Sequence, residues 1–303
     1  MIAEGSFWTD AGRGPVPRRV WYVLIAAAWL GALIGFDTLR VHLQLDPLAD
    51  VHAYYDAGAR LNAGLPLYEQ AVGTNEASFY RYPPLLAIAF RPLALLPFET
   101  AARIWEALLI GLFILTVIRM GVRDRWTWLV LGWLAAPIAW SLAVGQAQVA
   151  VTFLLAVGAP WAVALATNLK VLPALVAVFW IGRRDWRSLA WFGGAMAVLG
   201  LVTFVLEPGG TLAYLSFLDL EQVGAVRNLS PYQLSPVIWL VMVAGLAVLA
   251  LRTSRGRFGW LAAVALSVLA SPRLLMYMLS TLAAGKAGPR PAGDPRPAPP
   301  DSP

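Results

Sequence analysis

Residues 160–184 read PWAVALATNLKVLPALVAVFWIGRR, and this stretch decides the topology of the chain. It is apolar almost from end to end, but Lys170 interrupts it and Pro173 follows three residues later. Proline has no backbone N–H to donate and breaks a helix near its position. The stretch therefore predicts two half-helices, broken near residues 168–173.

The rest of the chain contains similar apolar runs. It has 303 residues, 59% hydrophobic and 13% charged, which is about half the charged fraction of soluble domains. A full span of a ~30 Å bilayer core takes about 20 residues, and several runs are shorter. The composition predicts an all-α, polytopic transmembrane helix bundle with reentrant or broken helices. The runs lie at about 20–36, 100–119, 127–143, 147–158, 160–181, 189–206, 236–251, 259–270 and 273–284.

Clusters of basic residues predict the orientation, because positive residues mark the cytoplasmic side. Five clusters hold 15 of the 23 Lys and Arg residues. If all five lie inside, residues 37–99 and 207–235 are external loops. Residues 160–181 must then start and end on the inside, which a single spanning helix cannot do but two half-helices can. The clusters are Arg13/Arg18/Arg19, Arg119/Arg123/Arg125, Arg183/Arg184/Arg187, Arg252/Arg255/Arg257 and Lys286/Arg290/Arg296.

This orientation divides the chain into three parts. Residues 1–19 are a cytoplasmic N-terminal segment, and 20–284 form the transmembrane domain, with its first span an uncleaved anchor. Residues 285–303 are polar and rich in proline, which predicts a disordered cytoplasmic tail. The Arg, Ala, Gly and Pro bias suggests a GC-rich bacterial genome, and hence the inner membrane of a bacterium.

Composition also excludes several functions. The chain has no cysteine and only two histidines, His42 and His52, which excludes disulfides and multi-histidine metal sites. Its net charge of +6 comes from residues at the ends of apolar spans, so it does not indicate nucleic-acid binding. Walker and dinucleotide-binding motifs are absent, as is the Asp-x-Asp that holds a nucleotide-sugar metal. A donor that is not a nucleotide is therefore favoured.

Asp50 is the first candidate for chemistry. It opens the polar run DVHAYYDAGAR, residues 50–60, just after the first apolar span. A segment that only anchors a protein in lipid has no use for such groups. If a helix begins near this point, Asp50 is either its N-cap or a first-turn residue. The functional alternative to capping is a general base aimed at a sugar hydroxyl.

A second polar segment is FYRYPPLL, residues 79–86. Arg81 suits a lipid phosphate, which a guanidinium binds in bidentate fashion. An aromatic belt at headgroup depth is the alternative explanation of the tyrosines. Because the first helical position tolerates proline, the segment also predicts an interfacial helix over 85–97.

Further candidates follow along the chain. The amides of GQAQ, residues 145–148, either bind sugar hydroxyls or cap the next helix. Lys170 lies at membrane depth, where an ionisable side chain is functional by default, although snorkelling is a competing explanation. Arg227 and Arg273 lie on the predicted outer face against the positive-inside rule, and a phosphate-bearing substrate would use them.

The motifs, in order, resemble glycosyltransferase family 87, polyprenyl-phosphate-mannose-dependent enzymes of the GT-C superfamily. The resemblance covers about residues 20–284. The motifs that carry it are Asp50-x-x-x-Tyr54-Tyr55, Gly64-x-Pro66-x-Tyr68, Tyr82-Pro83-Pro84, Pro92-Leu93, Leu96-Pro97, Gly145-Gln146, Lys170-x-x-Pro173, Asn228-x-Ser230 and Ser271-Pro272.

The resemblance implies a GT-C bundle with a large first external loop, working as an inverting transferase on the outer side of the membrane. It implies transfer of a hexose, typically mannose, from a polyprenyl-phosphate donor to a glycolipid or glycan acceptor, with Asp50 as base and without metal or cofactor. Donor-phosphate candidates are Arg81, Lys170, Arg227 and Arg273. Sugar and acceptor candidates are His52, Tyr54, Tyr82, Gln146, Asn228 and Ser230.

Two other classes of function stay open. A lipid-linked sugar flippase or another membrane transporter also suits broken helices and a lysine at membrane depth. It predicts movement of a lipid-linked sugar without a new glycosidic bond, and no special sensitivity at Asp50. A non-catalytic membrane subunit is the third possibility, and it leaves the arginines of the outer loops unexplained.

Overall fold

The computed structural model describes residues 17–69, 79–216 and 228–289, and these contain helices and turns without a β-strand. Within them, four helices are long and apolar enough to cross a bilayer, and a bent pair supplies a fifth unit. The all-α membrane bundle is thus confirmed. The four helices are α1 (Arg18–Leu45), α4 (Phe98–Met120), α10 (Trp186–Leu206) and α12 (Pro236–Thr253), and the pair is α5 (Arg125–Trp133) with α6 (Ala135–Ala143).

Shorter helices fill the space between these spans. The α-helices are α2 (Ala49–Asn62), α3 (Pro84–Phe90), α7 (Gln148–Val157), α8 (Pro160–Leu169), α9 (Val178–Arg183), α11 (Pro208–Ser216), α13 (Gly259–Leu269) and α14 (Ala284–Ala287). Segments of 3₁₀-helix lie at Leu93–Leu95, Leu172–Ala177, Pro231–Gln233 and Met276–Ala283. Most of the predicted first outer loop is therefore helical.

The predicted break near Lys170 is present. Helix α8 ends at Leu169, Lys170 is extended with φ −149° and ψ 125°, and a 3₁₀ segment then leads into α9. Pro173 has no N–H to donate to the carbonyl of Leu169, so the α-helix cannot continue through it. Lys170 therefore sits where the backbone leaves the helical path.

A second break, between α5 and α6, lies within the run 127–143 that we had expected to be one span. The two helices meet at 66° around Leu134, because Pro137 cannot donate to the carbonyl of Trp133. Helix α1 packs across this bend through a small residue: a Cβ on Gly31 would lie 2.2 Å from the carbonyl oxygen of Gly132. Such close backbone approach is typical of membrane helix pairs.

One helix continues beyond its apolar run, and one predicted boundary is wrong. Helix α1 extends to Leu45, beyond the apolar run that ends at residue 36. Asp37 and Arg40 are exposed there and pair at 3.0 Å along the helix surface, which supports this extension. The interfacial helix predicted over 85–97 begins with Pro84 but stops at Phe90, and a 3₁₀ turn follows Pro92. Pro92 cannot donate to the preceding turn.

The first residues of the predicted tail are helical. Helix α14 continues to Ala287, and Lys286 forms a 2.7 Å ion pair with Asp124. The Lys286 ammonium also donates to the carbonyl of Met120 at 2.6 Å. These contacts fix the segment against the end of α4. Residues 1–16 and 290–303, and with them the rest of the two predicted terminal segments, lie outside the described residues.

Two described members of the basic clusters, Arg119 and Arg183, lie at the same end of the bundle. Arg119 donates to the carbonyl of Ala156 at 2.9 Å, and Arg183 to that of Ser254 at 3.3 Å. One hydrophobic cluster joins these ends, from Met120 and Ala156 to Trp180 and Trp260. A second cluster, around Tyr54, packs the opposite ends of α4 and α7. Helix α2 and Asp50 belong to that opposite end.

Candidate active site

The start of α2 is fixed against the turn between α6 and α7. Leu48 precedes the helix in a left-handed conformation, with φ 57°, and its N–H donates to the carbonyl of Ala143 at 3.1 Å. The N–H of Asp50 donates to the carbonyl of Val144, also at 3.1 Å. No side chain caps α2, so Asp50 is a first-turn residue and its carboxylate is not used as an N-cap.

Gly145 allows this close contact. Its φ of 67° is in the left-handed region, and a Cβ there would lie 2.2 Å from Cγ2 of Val51. The carbonyl of Gly145 accepts a hydrogen bond from Trp105 Nε1 at 2.8 Å. A residue without a side chain is therefore required for the α6–α7 turn to hold the start of α2.

A chain of hydrogen bonds leads from this turn to the carboxylate. The N–H of Ala147 donates to the Tyr54 hydroxyl at 3.1 Å, which donates to Gln146 Oε1 at 2.8 Å. Gln146 Nε2 donates to the Tyr82 hydroxyl at 3.1 Å, which donates to Asp50 Oδ1 at 3.3 Å. Each hydroxyl accepts one bond and gives one, so the chain ends on Asp50 as an acceptor, the role of an ionised carboxylate.

Asp50 itself is half-buried and faces a cavity. Burial raises the pKa of its carboxyl from an ordinary value of 3.8 to about 6, while the charge of Lys170 and the hydrogen bond from Tyr82 oppose that rise. A pKa near 6 leaves the group ionised at neutral pH and far more basic than an exposed aspartate. These are the properties that a general base requires.

Lys170 reaches the same cavity from the break after α8. Its ammonium donates to Gln148 Oε1 at 2.7 Å and lies 5.2 Å and 5.0 Å from the ring centroids of Tyr82 and Tyr277. Gln148 Nε2 in turn donates to Thr281 Oγ1 at 2.6 Å. The lysine is thus held by an amide and two aromatic faces, and its charge lies near Asp50.

Two arginines add further positive charge. Arg81 and Arg273 both line the cavity, and Arg81 Nη1 donates to the carbonyl of Phe79 at 3.1 Å. Burial and then the charge of Arg273 lower the pKa of Arg81. Two guanidinium groups that repel one another at one cavity are a favourable environment for an anion, phosphate above all.

The cavity has a volume of about 450 Å³, within the usual range of ligand pockets. It is bordered by two carboxylates and three cations, with aromatic and small polar side chains between them. The charged residues are Asp46, Asp50, Arg81, Lys170 and Arg273. In the part of the chain described, no group of three His, Asp or Glu side chains is arranged to hold a metal ion.

The structure brings together many of the predicted residues. Asp50, Arg81, Tyr82, Lys170 and Arg273 line the cavity, as do Ser271 and Pro272, which precede Arg273 in the sequence Ser-Pro-Arg. Tyr54 and Gln146 are fully buried behind Tyr82, where they belong to its hydrogen-bond chain. Arg227 lies outside the described residues.

Three other predicted residues do not line the cavity. His52 is exposed and stacks on Phe98 with 3.8 Å between ring centroids. Asn228 Oδ1 accepts from the N–H of Ser230 at 2.8 Å, and Ser230 Oγ accepts from the N–H of Tyr232 at 3.3 Å, so both side chains shape a local turn. The N–H of Leu229 in that turn donates to the carbonyl of Leu274 at 2.8 Å. This bond fixes the turn to the segment that contains the cavity residues Arg273 and Leu275.

Sequence analysis missed several cavity residues. Both amides of the GQAQ motif were considered as sugar ligands, but only Gln146 was assigned to the site, and Gln148 was left out. Tyr277 lies four residues after Arg273, so its place just beyond the Ser-Pro-Arg sequence could have identified it as a site residue. Asp46 precedes Pro47, a pattern that is typical of a turn residue. Trp140 gave no signal, because a tryptophan in an apolar run ordinarily predicts a lipid-facing position.

Comparison with known proteins gives a consistent result. The model of glycosyltransferase family 87 matches residues 79–284, more than half of the chain. Asp50 lies N-terminal to this match. No solved structure matches the chain.

Two known relatives come from Mycolicibacterium smegmatis. A polyprenol-phosphate-mannose-dependent alpha-(1-2)-phosphatidylinositol pentamannoside mannosyltransferase is 30% identical over 160 residues, covering 46% of this chain and 39% of the relative. A polyprenol-phosphate-mannose-dependent alpha-(1-2)-phosphatidylinositol mannoside mannosyltransferase is 27% identical over 250 residues, covering 71% of this chain and 56% of the relative. The chain thus spans about half the length of these relatives.

Proposed function

The chain belongs to glycosyltransferase family 87, and on that premise we propose that it transfers a mannosyl group from a polyprenyl-phosphate donor to a glycolipid acceptor. One observation carries the proposal: a single cavity contains the half-buried carboxylate of Asp50 together with Arg81, Lys170 and Arg273. The relatives' names support the donor, and they favour a phosphatidylinositol mannoside as acceptor over a glycan.

Asp50 is the proposed general base. As an acceptor hydroxyl attacks the anomeric carbon, its proton passes to the Asp50 carboxylate and the new glycosidic bond forms. The bond between the anomeric carbon and the phosphate oxygen breaks, and the polyprenyl phosphate leaves with the electron pair. Attack from the face opposite the phosphate inverts the anomeric configuration. The raised pKa of Asp50, about 6, suits proton acceptance near neutral pH.

The hydrogen-bond chain behind Asp50 orients this base. Tyr82 donates to Oδ1, and Gln146 and Tyr54 hold Tyr82 from behind. An ionised carboxylate has about four acceptor positions, so one such bond leaves room for a substrate hydroxyl. A base fixed in this way does not have to reorganise during the reaction.

The cations are proposed to bind the donor phosphate and to stabilise the leaving group. Transfer leaves additional negative charge on the phosphate, and positive groups that are fixed in position beforehand offset it more effectively than water does. Lys170 and the pair Arg81 and Arg273 are suited to this. Arg227 remains a proposed member of the set. His52, Asn228 and Ser230 are left out, because their side chains contact other parts of the fold.

We assign the cavity to the outer side of the membrane. The basic ends of α4 and α9 share the end of the bundle that is opposite Asp50, and positive residues mark the cytoplasmic face. This orientation places the N-terminus inside. A polyprenyl chain in the outer leaflet then presents its phosphate at the level of the cavity.

The experiment compares membranes carrying wild-type protein, Asp50→Asn or Asp56→Asn, each given radiolabelled polyprenyl-phosphate-mannose and phosphatidylinositol mannosides. Asp56 is a matched control, because it lies on the same helix, is exposed and does not line the cavity. We expect label in a new glycolipid with wild type and Asp56→Asn, and a loss of about 10²–10⁴-fold with Asp50→Asn. Unchanged transfer by Asp50→Asn would remove Asp50 as the base.

Absence of transfer by the wild type would contradict the proposed reaction. A flipping assay on the same labelled lipid then distinguishes the transporter alternative. Movement of the donor across vesicles without a new glycosidic bond, equally in wild type and Asp50→Asn, identifies a flippase.

A further inference from the structure

The cavity contains a second carboxylate that the mechanism above does not use. Asp46 lies just after α1, four residues before Asp50, and lines the same cavity. Its Oδ1 is 2.7 Å from Nδ1 of His42, one turn earlier on α1. An ionised carboxylate has no proton to give, so the imidazole donates this bond. The orientation of Asp46 is therefore set by His42.

His42 also joins Asp46 to an aromatic wall. Its ring stacks on Trp140 of α6, with 4.4 Å between centroids and 19° between planes. Trp140 borders the cavity, and its ring meets that of Tyr277 at 5.9 Å and 73°. A carboxylate and an indole, held together by one imidazole, thus form a continuous part of the cavity surface.

This surface is separated from the lysine by Tyr277. The ammonium of Lys170 lies 5.0 Å from the Tyr277 ring, and that ring also meets Trp140. Asp50 lies within electrostatic reach of Lys170 and Arg81. The contacts therefore run in the order Asp46, His42, Trp140, Tyr277 and Lys170, with Asp50 beside the lysine.

From this order we infer that Asp46, His42 and Trp140 form the subsite for the acceptor's terminal sugar. The inference rests on the proposed function and names the part of the same cavity that recognises the acceptor. A sugar offers hydroxyl donors that a carboxylate accepts, and a face of C–H groups that packs on an indole. Pockets for such ligands combine an apolar surface with a few fixed polar groups.

The reaction geometry assigns this subsite to the acceptor rather than to the donor. The donor phosphate occupies the cationic part, and an inverting attack comes from the opposite face of the anomeric carbon. The attacking hydroxyl must also contact Asp50. The acceptor sugar is then held on the far side of Asp50 from the cations, beside Asp46 and Trp140.

Steady-state kinetics of purified full-length protein tests the inference, with polyprenyl-phosphate-mannose as donor and a phosphatidylinositol mannoside as acceptor. For Asp46→Asn and Trp140→Leu we expect the acceptor KM to rise about tenfold or more, because each loses a direct contact with the sugar. The donor KM stays unchanged. Asp37→Asn is the matched control: Asp37 lies on α1, nine residues before Asp46, and is exposed beside Arg40, and its substitution leaves both KM values unchanged.

Conservative variants separate recognition from folding. Trp140→Phe keeps an aromatic face and is expected to recover most of the acceptor affinity lost in Trp140→Leu. Retention of labelled donor by each purified variant shows that the cavity is still assembled. An acceptor KM that is unchanged in both Asp46→Asn and Trp140→Leu would overturn the inference, and so would a rise in donor KM alone.

Failure of the inference is distinguishable from failure of the proposed function. If wild type transfers label and Asp50→Asn does not, the proposed reaction and its base are supported, whether or not Asp46→Asn changes the acceptor KM. If wild type makes no glycolipid, the proposed function fails and the acceptor subsite fails with it.

Discussion

The Tyr82 hydroxyl donates a 3.3 Å hydrogen bond to Oδ1 of Asp50, and it is itself held by Gln146. The bond favours the ionised form of a carboxyl whose pKa burial has raised to about 6. Tyr82 thereby connects the position of the proposed base to its charge state.

Activity of the wild type is expected to fall in acid. A general base works only when deprotonated, so protonation of Asp50 removes it. With a pKa of about 6, kcat/KM should decline as the pH falls through 6 and level off above about pH 7. The measurement is a pH profile of label transfer between pH 5 and 8.5. A profile that stays flat through pH 6 would contradict Asp50 as the titrating group.

Tyr82→Phe is expected to move this acid limb upward. The variant loses one hydrogen bond to the ionised carboxylate, worth about 1.5 kcal/mol, or about one unit of pKa. At pH 7 kcat/KM should fall about twofold, with little change at pH 8.5. The control is Tyr55→Phe, whose hydroxyl donates instead to the carbonyl of Leu96. An unshifted midpoint in Tyr82→Phe would show that this bond does not tune the base.

Arg81→Gln and Arg273→Gln are expected to weaken donor binding. Each removes a cation from the cavity wall, and we expect the donor KM to rise about tenfold while the acceptor KM stays unchanged. If both bind one phosphate, the double variant should lose less than the sum of the two free-energy changes. Arg40→Gln is the control, because Arg40 pairs with Asp37 on the exposed surface of α1. Fully additive losses would place the arginines on separate ligands.

Gln148→Leu is expected to impair the position of Lys170. The change removes the acceptor of the 2.7 Å bond from the ammonium and leaves the Thr281 hydroxyl without its amide partner. We expect kcat/KM for the donor to fall about tenfold, since a hydrogen bond to a charged group is worth about 1.5–3 kcal/mol. Gln44→Leu, at an exposed position on α1, provides the comparison. Full activity in Gln148→Leu would show that the two aromatic rings suffice to hold the lysine.

Gly145→Ala is expected to displace Asp50 without contacting substrate. The new methyl group would collide with Val51 Cγ2, and a left-handed φ costs a non-glycine residue about 1–2 kcal/mol. We expect a large loss of kcat, partly recovered by adding Val51→Ala, which removes the colliding atom. Gly111→Ala is the control, because no atom lies within 4 Å of its Cβ position. Activity near wild type in Gly145→Ala would mean that the turn adjusts freely.

The sequence by itself determined the class of fold and its main breaks. Long apolar runs require helices in a bilayer, because every backbone polar group must be satisfied internally there. Pro173 and Lys170 marked the broken helix, and the arginines marked one end of the bundle. These are local signals, carried by a few neighbouring residues, and each is readable without knowing what packs against it.

Only the tertiary structure decided which polar residues meet. The bond between Tyr82 and Gln146 joins positions 64 residues apart, and no spacing in the sequence predicts it. Trp140 resembled a lipid-facing residue and Asp46 a simple turn residue until the bend at Leu134 and the length of α1 brought both to the cavity. Side-chain periodicity describes one helix at a time, whereas a site between helices depends on how their faces pack together.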